Sequence, residues 1–483
     1  MTLAAMAAGC AVGPDFQPPS PPQVTGYLPP GRRPATSEPL PDQRLVAGAA
    51  IPDRWWELFR SRHLNELITQ AIIHNTDLQA AEAAVRVAQA NALAQRGALF
   101  PLVTADFNSS RQKVPTESLT SNAANNASTY SLHTAQLTVT YVADVFGGTR
   151  RQIESSDALA EAQAFQREAV YLTLAANIAI AAIQEASLRG QIAATRRLIA
   201  IQTRLLDILR RQYDLGQIAL IDVTAQETAV AQARLLLPPL EKQLAQQRDL
   251  ITFLTGRFPG EDVAATFNIG SFRLPRAVPL SLPADLVRQR PDIRVAEANL
   301  RSASAQIGVA IANRLPKITL NANAGSTALA LAKLFSPGTG FWMVAGDAAQ
   351  TVFDAGALYH RQKAAEETFN QSAAQYRGTV LIAFQNVADT LRALQADSRA
   401  VAAAVAAEQS ASRNIDLVSK QVEQGQVSLP VLLAAQQAYL QTSLALVQAQ
   451  ATRLADTVAL FQALGGGWWN RPPPPASGDI VLQ

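Results

Sequence analysis

Cysteine is all but absent. Cys10 is the only one, so the chain holds no intramolecular disulfide. Charge is scarce as well: Asp, Glu, Lys and Arg together make up 16% of the residues, and aromatics 6%. A net charge of +3 without a basic run gives no nucleic-acid surface. The four histidines (His63, His74, His133, His360) are scattered, without the spacing of a metal site, and read as ordinary surface or loop residues. No Ser-His-Asp set, carboxylate pair or phosphate cradle stands out. Gly256-Arg257-Phe258-Pro259-Gly260 follows a helical pattern and lacks the strand and Lys-Ser/Thr of a phosphate loop. Neither catalysis nor a bound cofactor or metal is expected. Long hydrophobic runs are missing too. The most apolar stretch, Leu172 to Ile183, is interrupted by Thr173 and Asn177 and falls short of the ~20 residues a membrane helix needs. A β-barrel needs no such run, so membrane insertion stays open.

What the chain does have is a long repeat. Asp77-Leu78-Gln79-Ala80-Ala81-Glu82 returns as Asp292-Ile293-Arg294-Val295-Ala296-Glu297, 215 residues on. The same shift carries Phe100-Pro101-Leu102-Val103-Thr104 onto Leu315-Pro316-Lys317-Ile318-Thr319. Gln212 to Gly216 matches Gln421 to Gly425 at a shift of 209, and Leu254-Thr255-Gly256 matches Leu464-Gly465-Gly466 at 210. A period this long excludes a short-repeat solenoid and implies two tandem copies of one structural unit. Ala, Leu, Gln, Arg and Glu are strong helix formers, so the chain is expected to be mostly α.

Each copy reads as helix, strand pair, long helix, turn and return helix. In the first, Trp55 to about Gly97 is helical, with Leu64, Leu67, Ile68 and Ile72 at helical spacing. From Pro101 the period drops to two. Val103, Ala105 and Phe107 alternate with Leu102, Thr104, Asp106 and Asn108. A polar loop, Ser109 to Thr129, precedes a second strand. There Ala135, Leu137, Val139, Tyr141, Ala143 and Val145 oppose Gln136, Thr138, Thr140 and Asp144. In the second copy, from Pro316, Ile318, Leu320, Ala322 and Ala324 alternate with Lys317, Thr319, Asn321 and Asn323. Its partner strand, about Phe341 to Phe353, has no assignable faces. The strand pairs therefore span about 100–146 and about 316–354.

Such alternation fits a transmembrane barrel strand and a soluble half-buried sheet equally well. Four strands cannot close a barrel, and lipid does not tolerate an open edge. Two copies of the chain would supply 8 strands, an interior filled by side chains. Three would supply 12 and leave a small lumen, which suits inward Ser, Thr, Asn and Asp.

Sharp turns follow each strand pair at Phe146-Gly147-Gly148 and Phe353-Asp354-Ala355-Gly356. Residues 149–213 and 357–423 then read as unusually long helices, each roughly 100 Å at ~1.5 Å per residue. Leu198, Ile201, Leu205 and Ile208 step as a coiled-coil seam. Gly216 and Gly425 stop these helices, and an apolar helix restarts after each. The first return helix carries Pro238-Pro239 and should break near Leu237; the second has no such proline, which predicts quasi-equivalent halves.

Cys10 ends the segment Leu3-Ala4-Ala5-Met6-Ala7-Ala8-Gly9-Cys10. Small residues before a cysteine, after an apolar stretch, resemble a bacterial lipoprotein signal, whose cysteine is acylated and becomes the mature N-terminus. Residues 1–9 would be the remnant of that signal, and its missing basic region places the true translation start upstream of Met1. A proline-rich tether follows, making residues 10–50 an acylated N-terminus and leader to the folded body. Ala11, where Asp would signal retention at the inner membrane, implies the outer membrane.

Five segments carry a family resemblance. They are Cys10 to Phe16, Trp55-Trp56, Asp144-Val145-Phe146-Gly147-Gly148, Arg288-Gln289-Arg290-Pro291-Asp292-Ile293 and Ala463 to Trp468. Together they resemble the TolC-like outer-membrane efflux family, in its lipoprotein (OprM/NodT-like) branch. The resemblance implies a homotrimer whose 12-stranded β-barrel crosses the outer membrane and whose helical coiled-coil tube crosses the periplasm. It implies a passive exit duct, lipid-anchored at Cys10 with no other cofactor. The duct would work with a periplasmic adaptor (membrane fusion) protein and an inner-membrane RND transporter. The first repeat would occupy residues 51–260, a linker 261–285, the second repeat 286–466 and a proline-rich tail 467–483.

In that family the gate and adaptor contacts lie at the two hairpin tips. The residues carried over are Arg210, Arg211, Asp214 and Gly216 at the first tip, and Arg413, Asp416, Lys420, Glu423 and Gly425 at the second. This chain departs from the family where Gln421-Val422 replaces the usual Arg-Tyr and where Pro430 follows the second tip. Two rival functions are a lipid-anchored periplasmic adaptor or structural protein and a duct for protein secretion. Extraction separates the first from a barrel, since an adaptor leaves the membrane once its lipid is removed.

Overall fold

In the computed structural model, residues 11–24, 26–27, 43–113 and 129–471 are described; Cys10 lies outside them. In chain order the elements are β1 (Arg44–Ala47), α1 (Arg62–His74), α2 (Thr76–Arg96), β2 (Leu102–Lys113), β3 (Thr129–Ala143), α3 (Gly148–Asp214), α4 (Leu220–Leu235), α5 (Leu237–Leu254), β4 (Ala277–Leu280), α6 (Pro283–Gln289), α7 (Pro291–Ala312), β5 (Lys317–Ala328), β6 (Gly340–Ala349), α8 (Ala357–Glu423) and α9 (Leu429–Ala463). They fold into two compact units, each drawn from both sequence copies. The first takes the described residues among 1–19, 84–164 and 295–377; the second takes those among 20–83, 165–294 and 378–483.

The first unit is built on a four-stranded antiparallel sheet in the order β2-β3-β5-β6. Directly opposed residues share a face, so the register sorts the side chains. One face carries the rows Val103–Val139–Ala322–Val344 and Ala105–Leu137–Ala324–Trp342. The other carries Leu102–Thr140–Asn321–Ala345 and Thr104–Thr138–Asn323–Met343. The faces of β6, unreadable from its own sequence, follow from its neighbour. The polar face is tied across strands: Thr140 Oγ1 donates to Asn321 Oδ1 at 3.2 Å, and Asn321 Nδ2 to Asp347 Oδ2 at 3.0 Å.

The first strand pair is longer than expected. The ladder continues from Ser109 opposite His133 to Lys113 opposite Thr129, through residues assigned to a loop by their polarity. Backbone pairing holds them, and hydrophobic alternation cannot report it. β6 is shorter than expected, ending at Ala349 rather than Phe353.

Each long helix runs for 67 residues, and an aspartate a few residues ahead of it caps its start. Asp144 accepts the Thr149 and Arg150 N–H groups at 2.8 and 3.0 Å, and Asp354 those of Gly356 and Leu358 at 2.9 and 2.8 Å. These carboxylates satisfy donors that a helix start leaves unpaired. Donation from Leu358 and its neighbours holds the Asp354 carboxyl below the usual range. The expectation of no membrane-length apolar helix needs revision. One 18-residue window of α3 reaches a mean hydropathy of 1.4. Most of that window, 61%, is buried within the chain, with Ala175, Ala176, Ile178, Ala179 and Ile183 in the core, so packing accounts for it.

In the second unit the helix expected over Trp55–Gly97 is divided. A 3-10 turn, Trp55–Phe59, precedes α1, and α1 is separated from α2 at Asn75. Trp55 stacks on Phe461 with ring centroids 5.3 Å apart, beside buried Trp56 and Phe59. Truncating such a core aromatic costs about 3–5 kcal/mol. The return helices differ as Pro238-Pro239 requires: α4 and α5 meet at Leu236, whereas α9 runs unbroken for 35 residues.

Three segments expected to be connecting chain are structured. Within the tether, β1 pairs in parallel with β4 of the linker, Leu45 opposite Val278, with both side chains buried. The linker also contains the start of α6. The tail begins with a 3-10 turn, Trp468–Asn470, and Trp468 Nε1 donates to the Gln289 carbonyl at 2.6 Å. Few apolar side chains are needed for these attachments, because backbone and indole hydrogen bonds supply them.

Candidate functional site

The tips, in the second unit, are two turns of one geometry. After α3, Gly216 takes φ 70°, its N–H reaching the Tyr213 carbonyl at 2.8 Å and that of Gln217 the Gln212 carbonyl at 2.9 Å. After α8, Gly425 also takes φ 70°, with Gly425 on Val422 at 3.0 Å and Gln426 on Gln421 at 2.8 Å. This pair of bonds is the Schellman helix stop, which places a left-handed residue where glycine alone escapes a steric penalty.

Behind the turns, Leu205, Leu206 and Leu209 of α3, Val223 and Val230 of α4, Val418 of α8, and Leu429 and Leu432 of α9 form one buried cluster. The two hairpins are thereby joined within a single chain. A polar layer lies among the same helices. Gln202 Nε2 donates to Gln436 Oε1 at 3.1 Å and Gln226 Nε2 to the Gln202 carbonyl at 3.0 Å. Sequence reading missed these glutamines. Their only trace is a polar residue interrupting each apolar helix face.

All the charged residues carried over to the tips are exposed: Arg210, Arg211 and Asp214 on α3, and Arg413, Asp416, Lys420 and Glu423 on α8. Among the described residues, Arg210 pairs with Glu227 at 2.7 Å, and none of the other six makes an ion pair within the chain. Their charges remain free for contacts outside it.

The repeat-defining turns lie in the first unit. Pro101 and Pro316 immediately precede β2 and β5. Gly147 and Gly356 take φ 76° and 87° at the helix starts, and Gly148 packs so close to Ala312 that a Cβ would lie 2.8 Å from that methyl. The Asp144 and Asp354 caps beside them went unread, although aspartate precedes the turn glycine in both copies.

The five resemblance segments meet in two places. In the first unit, the stretch after Cys10 is seated on the turn between β3 and α3. The Val12 N–H donates to the Phe146 carbonyl at 3.0 Å. Buried Arg151 donates to the Val12 carbonyl at 3.1 Å, the Gly13 carbonyl at 3.3 Å and Asp15 Oδ1 at 2.7 Å. In the second unit, Trp55-Trp56 meets the end of α9. Arg290 grips Asp292 at 3.0 and 2.7 Å and donates to the Ala463 carbonyl at 2.9 Å. Gly465, Gly466 and Gly467 all take positive φ, and a Cβ on Gly465 would stand 2.8 Å from the Gln289 carbonyl.

A family model described as outer membrane efflux protein matches residues 67–257 and 282–466. The chain belongs to the outer membrane efflux protein family. Among relatives of this family, the toluene efflux pump outer membrane protein TtgC of Pseudomonas putida is 30% identical over 459 residues, 95% of this chain and 93% of that protein. The pyoverdine export outer membrane protein OpmQ of Pseudomonas putida is 30% identical over 423 residues, 86% and 89% of the two chains. Among solved structures, the outer-membrane channel OprN superposes with a TM-score of 0.85 at 26% identity, covering 95% of this chain and 100% of that one. The fold is that of the TolC-like outer-membrane channels, and this outer membrane efflux protein is mostly helical. The family is one of transport channels rather than enzymes, working beside adaptor and inner-membrane transporter partners. Among the described residues no cluster of His, Cys, Asp and Glu could hold a metal.

Proposed function

We propose that this outer-membrane efflux channel is the exit duct of a tripartite pump, passing small molecules handed over by an inner-membrane RND transporter through a periplasmic adaptor. The observation that carries the reading is the sheet: an apolar face with exposed Val103, Leu137, Trp342 and Val344, a hydrogen-bonded polar face, and open edges on β2 and β6. Lipid cannot accept those edges, so strands of neighbouring copies must cover them. Three copies give a 12-stranded barrel with Thr140, Asn321 and Asp347 toward water. The long hairpins of three copies give the periplasmic tube. The two sequence copies act as quasi-equivalent repeats, at about 51–260 and 286–466, which lets a trimer present six similar hairpins.

Cys10 is the lipid attachment. The seat for Val12–Asp15 supports this reading, because it holds the chain two residues beyond Cys10. The exposed charges of the tips form the gate and adaptor surface. In each tip the ion pairs to a neighbour are worth about 0–1 kcal/mol, weak enough for a partner to displace.

The test is the mass of detergent-purified protein together with its conductance in a planar bilayer. A trimer with a low-conductance, mostly closed pore is expected. A monomer that stays in solution without detergent and forms no pore returns the sheet to a soluble, adaptor-like role. Retention in the membrane after removal of the lipid separates the duct from that rival.

A further inference from the structure

The connection between β5 and β6, residues 329–339, is unusual for a loop on the outer side of a barrel. It reads Leu-Ala-Leu-Ala-Lys-Leu-Phe-Ser-Pro-Gly-Thr. Leu329, Leu331 and Phe335 are exposed, Phe335 at 81%. Water would not favour that arrangement, since each exposed side chain leaves about 1.5–3 kcal/mol of burial unrealised.

The loop folds back onto the apolar face of the sheet. Ser326 stands opposite Ala135, which stands opposite Phe107, so all three share the face of Leu137 and Val139. The Ser326 hydroxyl donates to the Leu334 carbonyl and lies 2.6 Å from Thr339 Oγ1. Leu334 is buried to 4% exposure, while Phe335 stays exposed. With Ala105, Phe107, Leu137 and Ala324 it lines an open cleft of about 510 Å³. The row through Phe107 lies five residues beyond Leu102, about 17 Å along the strand at ~3.4 Å per residue. With barrel strands tilted about 35–45°, this is roughly 13 Å of height above the row of Leu102, less than the apolar band of about 25 Å.

Part of the loop's backbone is paired within the loop, which lowers its cost in lipid, where an unpaired polar group costs several kcal/mol. Lys333 N–H reaches the Ala330 carbonyl at 2.9 Å, Leu334 the Leu331 carbonyl at 3.1 Å, and Ser336 the Lys333 carbonyl at 3.0 Å. Thr327 N–H closes the base on the Thr339 carbonyl at 2.9 Å. Lys333 is exposed and long enough to carry its ammonium to a headgroup.

We propose that this loop dips into the outer leaflet and seats an acyl chain of a phosphate-bearing lipid between Phe335 and the wall of the sheet. The proposal rests on the barrel reading above. The exposed wall residues Val103 and Val344 lie on the same face of the sheet as the cleft, and Lys333 supplies a cation for the phosphate.

The test uses spin labels in full-length protein carrying Cys10→Ser, reconstituted in vesicles containing anionic lipid. One label is placed at Phe335→Cys and a control at Val344→Cys on the wall. Oxygen, which partitions into lipid, should relax both labels more strongly than a water-soluble nickel chelate. Nickel dominating at 335 but oxygen at 344 overturns the loop proposal and leaves the barrel standing. Nickel dominating at both sites overturns both. A label at 335 that is immobile and shielded from oxygen and nickel alike means that protein, such as a second copy, fills the cleft; that also overturns the proposal.

Discussion

Arg290 donates from Nη1 to the carbonyl of Ala463 at 2.9 Å, joining the start of α7 to the end of α9 across 173 residues of sequence. Its other two nitrogens hold Asp292, so one buried guanidinium serves three acceptors. Arg290→Ala would leave the Ala463 carbonyl without this donor at the end of α9, near the aromatic group of Trp55 and Phe461. A loss of about 2–3 kcal/mol is expected, the scale of a buried hydrogen bond to a charged group. Thermal unfolding of the purified protein measures it. Arg290→Lys should recover less than half, because an ammonium cannot reproduce the planar fork. An unchanged midpoint for the alanine variant would show that Pro291 and the glycine run hold this junction alone.

The same arginine marks what the sequence makes legible. Arg290-Pro291-Asp292 was readable as a landmark, but its acceptor was not, because Ala463 carries no side-chain signal. Backbone carbonyls are anonymous in a sequence. The glycines at 216 and 425 were readable as helix stops because a left-handed residue has one cheap solution. Strand faces were readable where neighbouring residues differ in polarity, as at Leu137 and Thr138. In β6, Phe341, Trp342, Met343 and Val344 run together, and the register alone separates them. The attachment of β1 to β4 was hidden for another reason: four residues in a proline-rich stretch contain no complete period.

On the proposed reading of Cys10 as the lipid attachment, the strap after it separates anchoring from folding. Cys10→Ser should abolish acylation while leaving the trimer intact, since the sheet and hairpins carry the packing. Arg151→Ala should do the converse. Acyl incorporation persists, but residues 11–19 lose three hydrogen bonds and are cut faster by protease. Mass spectrometry of the N-terminal peptide reads the acyl group, and limited proteolysis reads the strap. Loss of the trimer in Cys10→Ser counts against the division, and so does a strap equally protected in Arg151→Ala.

Asp397 of α8 shares a hydrogen bond with Asp456 of α9, near buried Arg453. Burial, then the bond and charge of Asp456, push the Asp397 carboxyl up to about 7, against about 3.9 for a free aspartate. The folded chain therefore binds this proton more tightly than the unfolded chain does. The stabilisation is complete below pH ~4 and is lost as pH rises through about 7. Asp397→Asn keeps a hydrogen-bond donor and removes the titration. Its melting temperature should exceed that of the parent at pH 8 and approach it at pH 5. Parallel curves for the two proteins between pH 5 and 8 would show that Arg453 keeps both carboxyls ionised.

At the tips, Asp416 and Glu423 are exposed and, among the described residues, make no ion pair within the chain, whereas Arg210 is already engaged by Glu227. Arg210→Ala should thus shift stability by less than about 1 kcal/mol, the range of an exposed pair. Asp416→Ala combined with Glu423→Ala removes charges that the proposed trimer would use between chains. It should leave the melting temperature near that of the parent and raise single-channel conductance in a planar bilayer. The two readouts discriminate, because the intrachain cluster of Leu205, Val418 and Leu432 is untouched by either substitution. A conductance equal to that of the parent would place the closing contacts elsewhere, with the departure at Gln421-Val422 the next residues to examine. A fall in both conductance and melting temperature would instead mean that the charges support the tip fold itself.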